Sequence, residues 1–198
     1  MLSACPRLPP GSASRSEVSD IAWVAPPAFT SGAVLTAAQL NILGNDLLET
    51  APAKATAAGQ LFVATGLNAI VARTPATASD LAGDTYTSTS YGASTTPGPA
   101  VTVTTGTTAF VAWAARIHHN VVGEQGMCDF EVSGATVRAP TDQTALRFYA
   151  GAVNQGARMG ISRLVTGLTA GSNTFTLRYR TTASTATFAD RVLTVIPF

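Results

Sequence analysis

The sequence has few charged side chains and almost no lysine. Of its 198 residues only 12% are charged, Lys54 is the single lysine, and the formal net charge is +1. A nearly neutral chain has no strong electrostatic attraction for nucleic acid or for anionic lipid, so neither is an expected partner. Low charge harms solubility unless much of the surface is buried in an assembly. We therefore expect an obligate oligomer.

Long apolar runs and paired cysteines are also missing from the sequence. No window holds the roughly 18 or more apolar residues of a membrane span. No basic segment followed by an apolar one marks a secretory signal near the start. Cys5 and Cys128 lie far apart, and neither has the spacing of a metal ligand. We expect two free thiols in a protein assembled in a reducing cytoplasm.

The residues most used in catalysis are scarce and poorly placed for it. There is no G-x-S-x-G, H-E-x-x-H or P-loop motif. His118 and His119 lie on a predicted strand, where adjacent side chains point to opposite faces, so one chain cannot bind one ion with both. Three copies of one histidine around a threefold axis are the alternative. We expect no bound metal and no cofactor.

Two carboxylates have the spacing of a glycosidase pair. Asp129 and Glu131 share one face of a predicted strand, about 6.6 Å apart, and catalytic pairs occur at such separations. Those pairs usually come from different elements that line a cleft, whereas these two follow one another on one strand. A solvated or arginine-paired face is therefore the expectation, and the chain is not expected to be an enzyme.

Residues 36–58 contain a short amphipathic helix. Thr36 is a good N-cap, and Gln39 three residues later completes a capping box. An apolar stripe follows at positions i, i+3 and i+7, formed by Leu40, Leu43 and Leu47. A helix of about a dozen residues is marginal alone, so its stripe needs a surface to pack on. We assign these three leucines to the packing of a trimer.

The same region carries a pattern that points to a virus particle. Residues 29–47 read F-x-x-G-x-x-L-T-A-A-x-L-N-x-x-x-x-D-L. This pattern resembles the leader of phage tail fibre, minor tail and head decoration proteins, where it precedes a trimeric fibre or knob. Trp23, Phe29 and Leu35, in an extended arm over residues 1–35, are the expected anchors on the virion, because large apolar side chains gain most from burial in a partner's pocket.

Residues 59–84 are expected to form a hairpin or collar. Two short apolar runs flank a turn at residues 66–68, and the pattern G-x-L-x-x-A-T-G-x-N-A-x-x-x-R over residues 59–73 resembles units that recur in phage fibre shafts. Only one copy is present, so any shaft is short. Residues 76–84 are expected to add a helical turn. Residues 85–99 are rich in Ser, Thr, Gly and Pro and are expected to be a linker.

Residues 100–198 are expected to form an antiparallel β-sandwich. Seven strand signals recur with turn residues between them, at 101–105, 109–119, 127–133, 144–150, 159–165, 174–181 and 185–196. The run 109–119 is apolar on both faces, which indicates a strand covered on both sides, by the second sheet and by a neighbouring subunit. We assign Trp113 on this strand to trimer packing. The region resembles the C-terminal β-domain of actinobacterial phage structural proteins.

Two functions of different class follow from these patterns. The first is a structural component of a phage virion, made in the bacterial cytoplasm. It would be a homotrimeric spike, short fibre or capsid decoration that docks on other virion proteins through its N-terminal segment and projects its β-domain outward. The second is a module at the tail tip that binds a host-surface glycan. Its candidate contacts are Tyr149, Arg178 and Arg180, although Arg178 and Arg180 are expected to pair with carboxylates on neighbouring strands.

Overall fold

The computed structural model describes residues 28–48, 50, 54–67 and 69–198. These residues form a mainly β protein with one short helix, as the sequence predicts. The helix and strands are α1 Ala37–Leu48, β1 Leu61–Gly66, β2 Ala69–Arg73, β3 Ala76–Asp80, β4 Asp84–Tyr86, β5 Ala100–Thr105, β6 Thr108–His119, β7 Gln125–Gly134, β8 Leu146–Tyr149, β9 Gln155–Thr166, β10 Gly171–Thr181 and β11 Ala186–Pro197.

The strands β3–β11 form a sandwich of two antiparallel sheets. The four-stranded sheet has the order β5-β10-β7-β8. The five-stranded sheet has the order β3-β11-β6-β9, and β4 also pairs with β11. All seven strands predicted within residues 100–198 are present, with ends that differ by a few residues, because their alternating side chains specify which face is buried.

The core lies between the two sheets and is rich in aromatic side chains. Trp113 meets Phe130 edge to face, with ring centroids 5.0 Å apart, and its indole Nε1–H donates to the carbonyl oxygen of Cys128 at 3.2 Å. Trp113 is only 2% exposed. The expectation that Trp113 packs against a second subunit is therefore wrong, because its side chain is buried inside its own chain.

Residues 76–99 are part of the sandwich. β3 and β4 pair with β11, so the helical turn expected over residues 76–84 is wrong. Ala76 and Ala78 alternate with exposed residues and pack against the core, which is the period of a strand. The segment expected to be a linker, 85–99, also contacts the sandwich, since Gly92 bridges to Tyr179.

A buried ion pair holds this segment in place. The guanidinium of Arg191 is fully buried and donates to the carboxylate of Asp80 on β3. It also donates to the hydroxyl oxygen of Ser94 at 3.1 Å. Arg191 follows Asp190, whose φ of 49° lies in the left-handed region, at a bulge in β11. The bulge turns a side chain of β11 towards residues 80–94, and Arg191 thereby links three separate segments.

The hairpin β1–β2 is confirmed as an antiparallel pair outside the sandwich. It lies at the end of the sandwich where β6 begins. Val63 and Arg73 of the hairpin line a cleft of about 310 Å³ together with Thr108 and Phe198. His119 marks the other end of β6, eleven residues or about 36 Å from Thr108.

Candidate assembly surfaces

The helix α1 leaves its apolar stripe exposed. Its capping box forms as predicted: the backbone N–H of Thr36 donates to Gln39 Oε1 at 2.9 Å, and the N–H of Gln39 donates to Thr36 Oγ1 at 3.2 Å. No residue of α1 is buried within the described structure. Leu40 is 51% and Leu47 68% exposed, and Leu43 is partly exposed. The stripe is therefore available for a contact with another surface.

Two of the three expected anchors on the virion lie together before α1. Phe29 and Leu35 line a hollow of about 200 Å³, and both side chains are about half exposed. Trp23, the third, lies outside the described residues.

The outer face of the five-stranded sheet is a second apolar surface. The register places three large apolar side chains side by side at the end nearest the hairpin, which we call the ridge: Leu164, Phe110 and Ile196. Two rows of mostly small side chains follow, which we call the floor: Ser162, Ala112, Thr194 and Thr77, then Gly160, Ala114, Val192 and Ser79. None of these residues is charged.

Part of the floor forms a groove of about 430 Å³. It is open because Gly160 has no side chain and Ala112 and Ala114 have only a methyl group. Charge appears beyond the floor, where Arg116 Nε lies 3.2 Å from Asp190 Oδ2. The outer side of β6 therefore offers a shallow apolar depression between a ridge and a charged border.

The outer face of the four-stranded sheet differs in kind, because it is polar and partly covered. The loop between β7 and β8 crosses it, since Asp142 on this loop pairs with Arg180 of β10 at 2.9 Å. Asp129 is fully buried beneath the loop. Its Oδ2 accepts from the Thr141 N–H at 2.8 Å and from Thr144 Oγ1 at 2.9 Å, and it lies 3.3 Å from Arg138.

Asp129 and Glu131 are arginine-paired, which confirms that part of the prediction. The guanidinium of Arg178 donates to Glu131, and this hydrogen bond raises the pKa of Arg178. Asp129 is buried rather than solvated. Within the described residues, the loop between β7 and β8 covers Asp129, and the guanidinium of Arg178 lies against Glu131, whose side chain is 29% exposed.

The three candidate glycan contacts do not converge. Arg178 is held by Glu131, and Arg180 Nη1 donates to both oxygens of Asp142 at 2.9 and 3.1 Å. Tyr149 is 62% exposed, but it lies two strands across and four residues along from Arg178. This offset corresponds to about 16 Å between backbones. Both arginines pair with carboxylates as expected, but only Arg178 does so across strands, because Asp142 lies in the loop between β7 and β8.

The two histidines face opposite sides of β6, as expected. His119 is 1% exposed. Its Nδ1 accepts from the Val121 N–H at 3.0 Å, and its Nε2 lies 2.8 Å from Thr181 Oγ1. Among the described residues, no three His, Cys, Asp or Glu side chains lie close enough to hold an ion. His119 instead ties the loop after β6 to the end of β10.

Sequence reasoning missed the buried roles of Arg191 and Asp129. A charged residue in an alternating strand reads as a solvated position. Nothing in the sequence pattern shows that the loop 9 to 15 residues further on folds back over Asp129. The sequence did contain a signal for the outer apolar face, since the run 109–119 has apolar residues at both odd-numbered and even-numbered positions. Within the described segments, no helix is long and apolar enough to cross a bilayer.

Comparison with known proteins adds no assignment. No protein-family model matches the sequence, and no curated protein matches it.

Proposed function

We propose that this chain is a structural component of a phage virion, a homotrimeric spike, short fibre or capsid decoration. Its N-terminal segment docks on other virion proteins, and its β-sandwich projects outward. The proposal treats the chain as a building block whose partners are copies of itself and neighbouring virion proteins.

The observation that carries the proposal is the exposed leucine stripe of α1. Leu40 and Leu47 are each at least half exposed in a helix that buries no residue. A helix of 12 residues is too short to be stable by propensity alone. Burial of one leucine side chain is worth roughly 2 kcal/mol, so three stripes that meet around an axis would stabilise one another.

The position of this stripe supports the same reading. It lies within the leader pattern of residues 29–47, which resembles that of trimeric phage virion proteins. The hairpin after it lies at the β6 start of the sandwich. The loops near His119 lie about 36 Å away along β6, so they form the outward tip when the N-terminal segment is docked.

Light scattering coupled to a sizing column tests the homotrimer. The expected mass is three times the 20.2 kDa of one chain. A monomer that persists at micromolar concentration would refute the trimer. Antibody labelling of intact virions, viewed by negative-stain microscopy, then distinguishes a position on the tail from one on the capsid. An absence of label from all particles would refute the virion role.

A further inference from the structure

We infer that residues 17–24 of this sequence add to the sandwich as an extra strand along the free edge of β9. The inference goes beyond the proposed function and does not depend on the homotrimer, because the segment can come from the same chain or from a neighbouring copy. It gives Trp23 a place on the sandwich and leaves Phe29 and Leu35 as the expected anchors on the virion.

The first support is the length of the free edge of β9. β9 is the last strand of the five-stranded sheet, and all 12 of its residues pair with β6 without a bulge. Within the described residues, no strand lies along its other edge. The other edge strands β3, β5 and β8 have only 4 to 6 residues each. Proteins usually shorten, bulge or cover an exposed edge, because its unpaired N–H and C=O groups pair readily with another strand.

The second support is a pair of arginines that lack a carboxylate. Arg163 lies opposite Val111 on the inward face of the sheet, and its Nη1 is buried without a hydrogen-bond partner. Arg158, on the outward face of β9, has no ion pair among the described residues either. Such a buried donor is costly without an acceptor, so a carboxylate from outside the described residues is expected here. Five other arginines each have a carboxylate partner: Arg116, Arg138, Arg178, Arg180 and Arg191.

Residues 17–24 have the composition that this edge requires. They read E-V-S-D-I-A-W-V and lie outside the described residues. They carry two carboxylates and no basic residue, whereas β9 carries two arginines and no carboxylate. Valine, isoleucine and tryptophan favour strands, and the segment contains no glycine or proline. The β9 edge of a second copy would instead bring arginine beside arginine, which is unfavourable.

One antiparallel register provides a carboxylate for both arginines. When Glu17 lies opposite Arg163, Asp20 lies diagonal to Arg158, roughly 7 to 8 Å away between backbones, which a long side chain can bridge. Glu17 then points inward and Asp20 outward, as the two arginines do, because side chains alternate along a strand. A parallel strand with Asp20 opposite Arg163 would place Arg15 opposite Arg158, and the two like charges would repel.

The same register continues the core beyond β9. Ile161 faces inward yet is 39% exposed, and Met159 and Ala157 are partly buried hydrophobic residues at the border of the core. Ile21 lies opposite Met159 in this register. Trp23 lies opposite Ala157, whose small side chain leaves room for the indole ring. Removal of these apolar side chains from water favours the added strand.

Disulfide trapping tests the segment and its register. Val18 lies opposite Ser162, with both side chains outward, and opposite residues of paired strands are about 5 Å apart, within reach of a disulfide. In a Cys5→Ser background, Val18→Cys with Ser162→Cys should therefore form a disulfide under mild oxidation. The matched control is Val18→Cys with Ile161→Cys, which is one residue out of register and faces the other side of the sheet.

The gel also identifies the source of the segment. A bond within the monomer band, mapped by mass spectrometry, shows that the segment binds its own chain. A bond in bands of two or more chains shows that it binds a neighbouring copy. Either result supports the added strand, whereas a bond no more frequent than that of the control would overturn it.

Hydrogen exchange of the full-length chain tests the protection of the edge. Every second amide of β9 points away from β6, and the added strand should protect these amides. Glu17→Lys with Asp20→Lys should make them exchange at least tenfold faster, because both carboxylates are replaced by like charges. Ser12→Lys with Ser14→Lys is the matched control and should leave their exchange unchanged. Equal exchange in the wild-type chain and in Glu17→Lys with Asp20→Lys would overturn the inference.

The outcomes separate this inference from the proposed function. A wild-type monomer that forms the disulfide within one chain would refute the trimer and support the added strand. A trimer in which neither the disulfide nor the exchange of β9 amides responds would refute the added strand and leave the trimer standing.

Discussion

Asp129 holds the loop between β7 and β8 against the sheet. Its carboxylate accepts from the N–H of Thr141 and the hydroxyl of Thr144, and it lies 3.3 Å from Arg138. Glu131, two residues along the same strand, has one arginine partner and a side chain 29% exposed. The two carboxylates lie on the same face of β7 but in different environments: Asp129 is buried in a hydrogen-bond network, and Glu131 is near solvent.

Substitution of these two carboxylates should therefore have unequal effects. Asp129→Ala removes the buried acceptor of the Thr141 N–H and the carboxylate partner of Arg138, whose guanidinium keeps only its bonds to the Phe130 carbonyl oxygen and Thr144 Oγ1. The expected cost is about 3 kcal/mol in the free energy of unfolding. Glu131→Ala is the matched control and should cost about 1 kcal/mol or less, because its ion pair is screened by solvent. Urea denaturation of both variants measures the difference. Equal losses would contradict the distinction drawn here.

The helix α1 and the strand β3 show two ways in which a short element depends on its surroundings. α1 is well capped but buries nothing in the described structure, whereas β3 is held by pairing with β11 and by the buried guanidinium of Arg191. Neither element has enough apolar surface to be stable alone. One is expected to need a second copy, and the other needs a residue 111 positions away in its own chain.

The leucine stripe can be tested without disturbing the sandwich. We expect Leu40→Ser with Leu47→Ser to weaken the trimer, since both side chains lose the apolar area that would be buried between copies. The protein concentration at which half of the chains are trimeric should rise at least tenfold. Asn45→Ser lies on another side of the same helix and should leave the mass unchanged. If Asn45→Ser raised this concentration tenfold as well, the weaker trimer would be due to a less stable helix and not to the loss of the leucine stripe.

Removal of the Arg191 guanidinium should loosen one strand selectively. In Arg191→Met, Asp80 loses its buried cation and Ser94 loses a hydrogen-bond donor at 3.1 Å. Hydrogen exchange of the amides of residues 76–96 should accelerate by tenfold or more, while β6 amides keep their protection. Uniform acceleration across both sheets would show that Arg191 supports the whole sandwich rather than this segment.

At the scale of the whole molecule, the chain is a sandwich with one polar face, one apolar face and an N-terminal extension that carries the leader pattern. Deletion of residues 1–35 is expected to leave the sandwich folded, because the first strands of its two sheets begin at Ala76 and Ala100. The truncated chain should be missing from purified virions when it is expressed in place of the full chain. Normal incorporation of the truncated chain would show that docking lies elsewhere.

The sandwich was predictable from sequence because alternation sets the buried face of a strand such as β10, where Phe175, Leu177 and Tyr179 all point inward. The inward face of β6 was not predictable, because both its odd-numbered and its even-numbered positions are apolar. Only the packing of the two sheets determines that Trp113 points inward while its neighbours Ala112 and Ala114 point outward. β3 was misread because short alanine-rich runs suit a helix as well as a strand. The pairing of Asp80 with Arg191, 111 positions away, leaves no local signal, and neither does the loop that folds back over Asp129.

The position of β11 has a consequence for how the protein is made. β11 lies inside the five-stranded sheet and pairs with β3, β4 and β6, which precede it by roughly 70 to 110 residues. During translation, β6 and β9 can pair early, but β3 and β4 have no neighbour in the sheet until residues 186–197 leave the ribosome. Such distant pairing slows folding. The edge of β6 that pairs with β11 therefore stays unpaired until the last strand has been made. Copies can associate correctly only after β11 has paired with this edge.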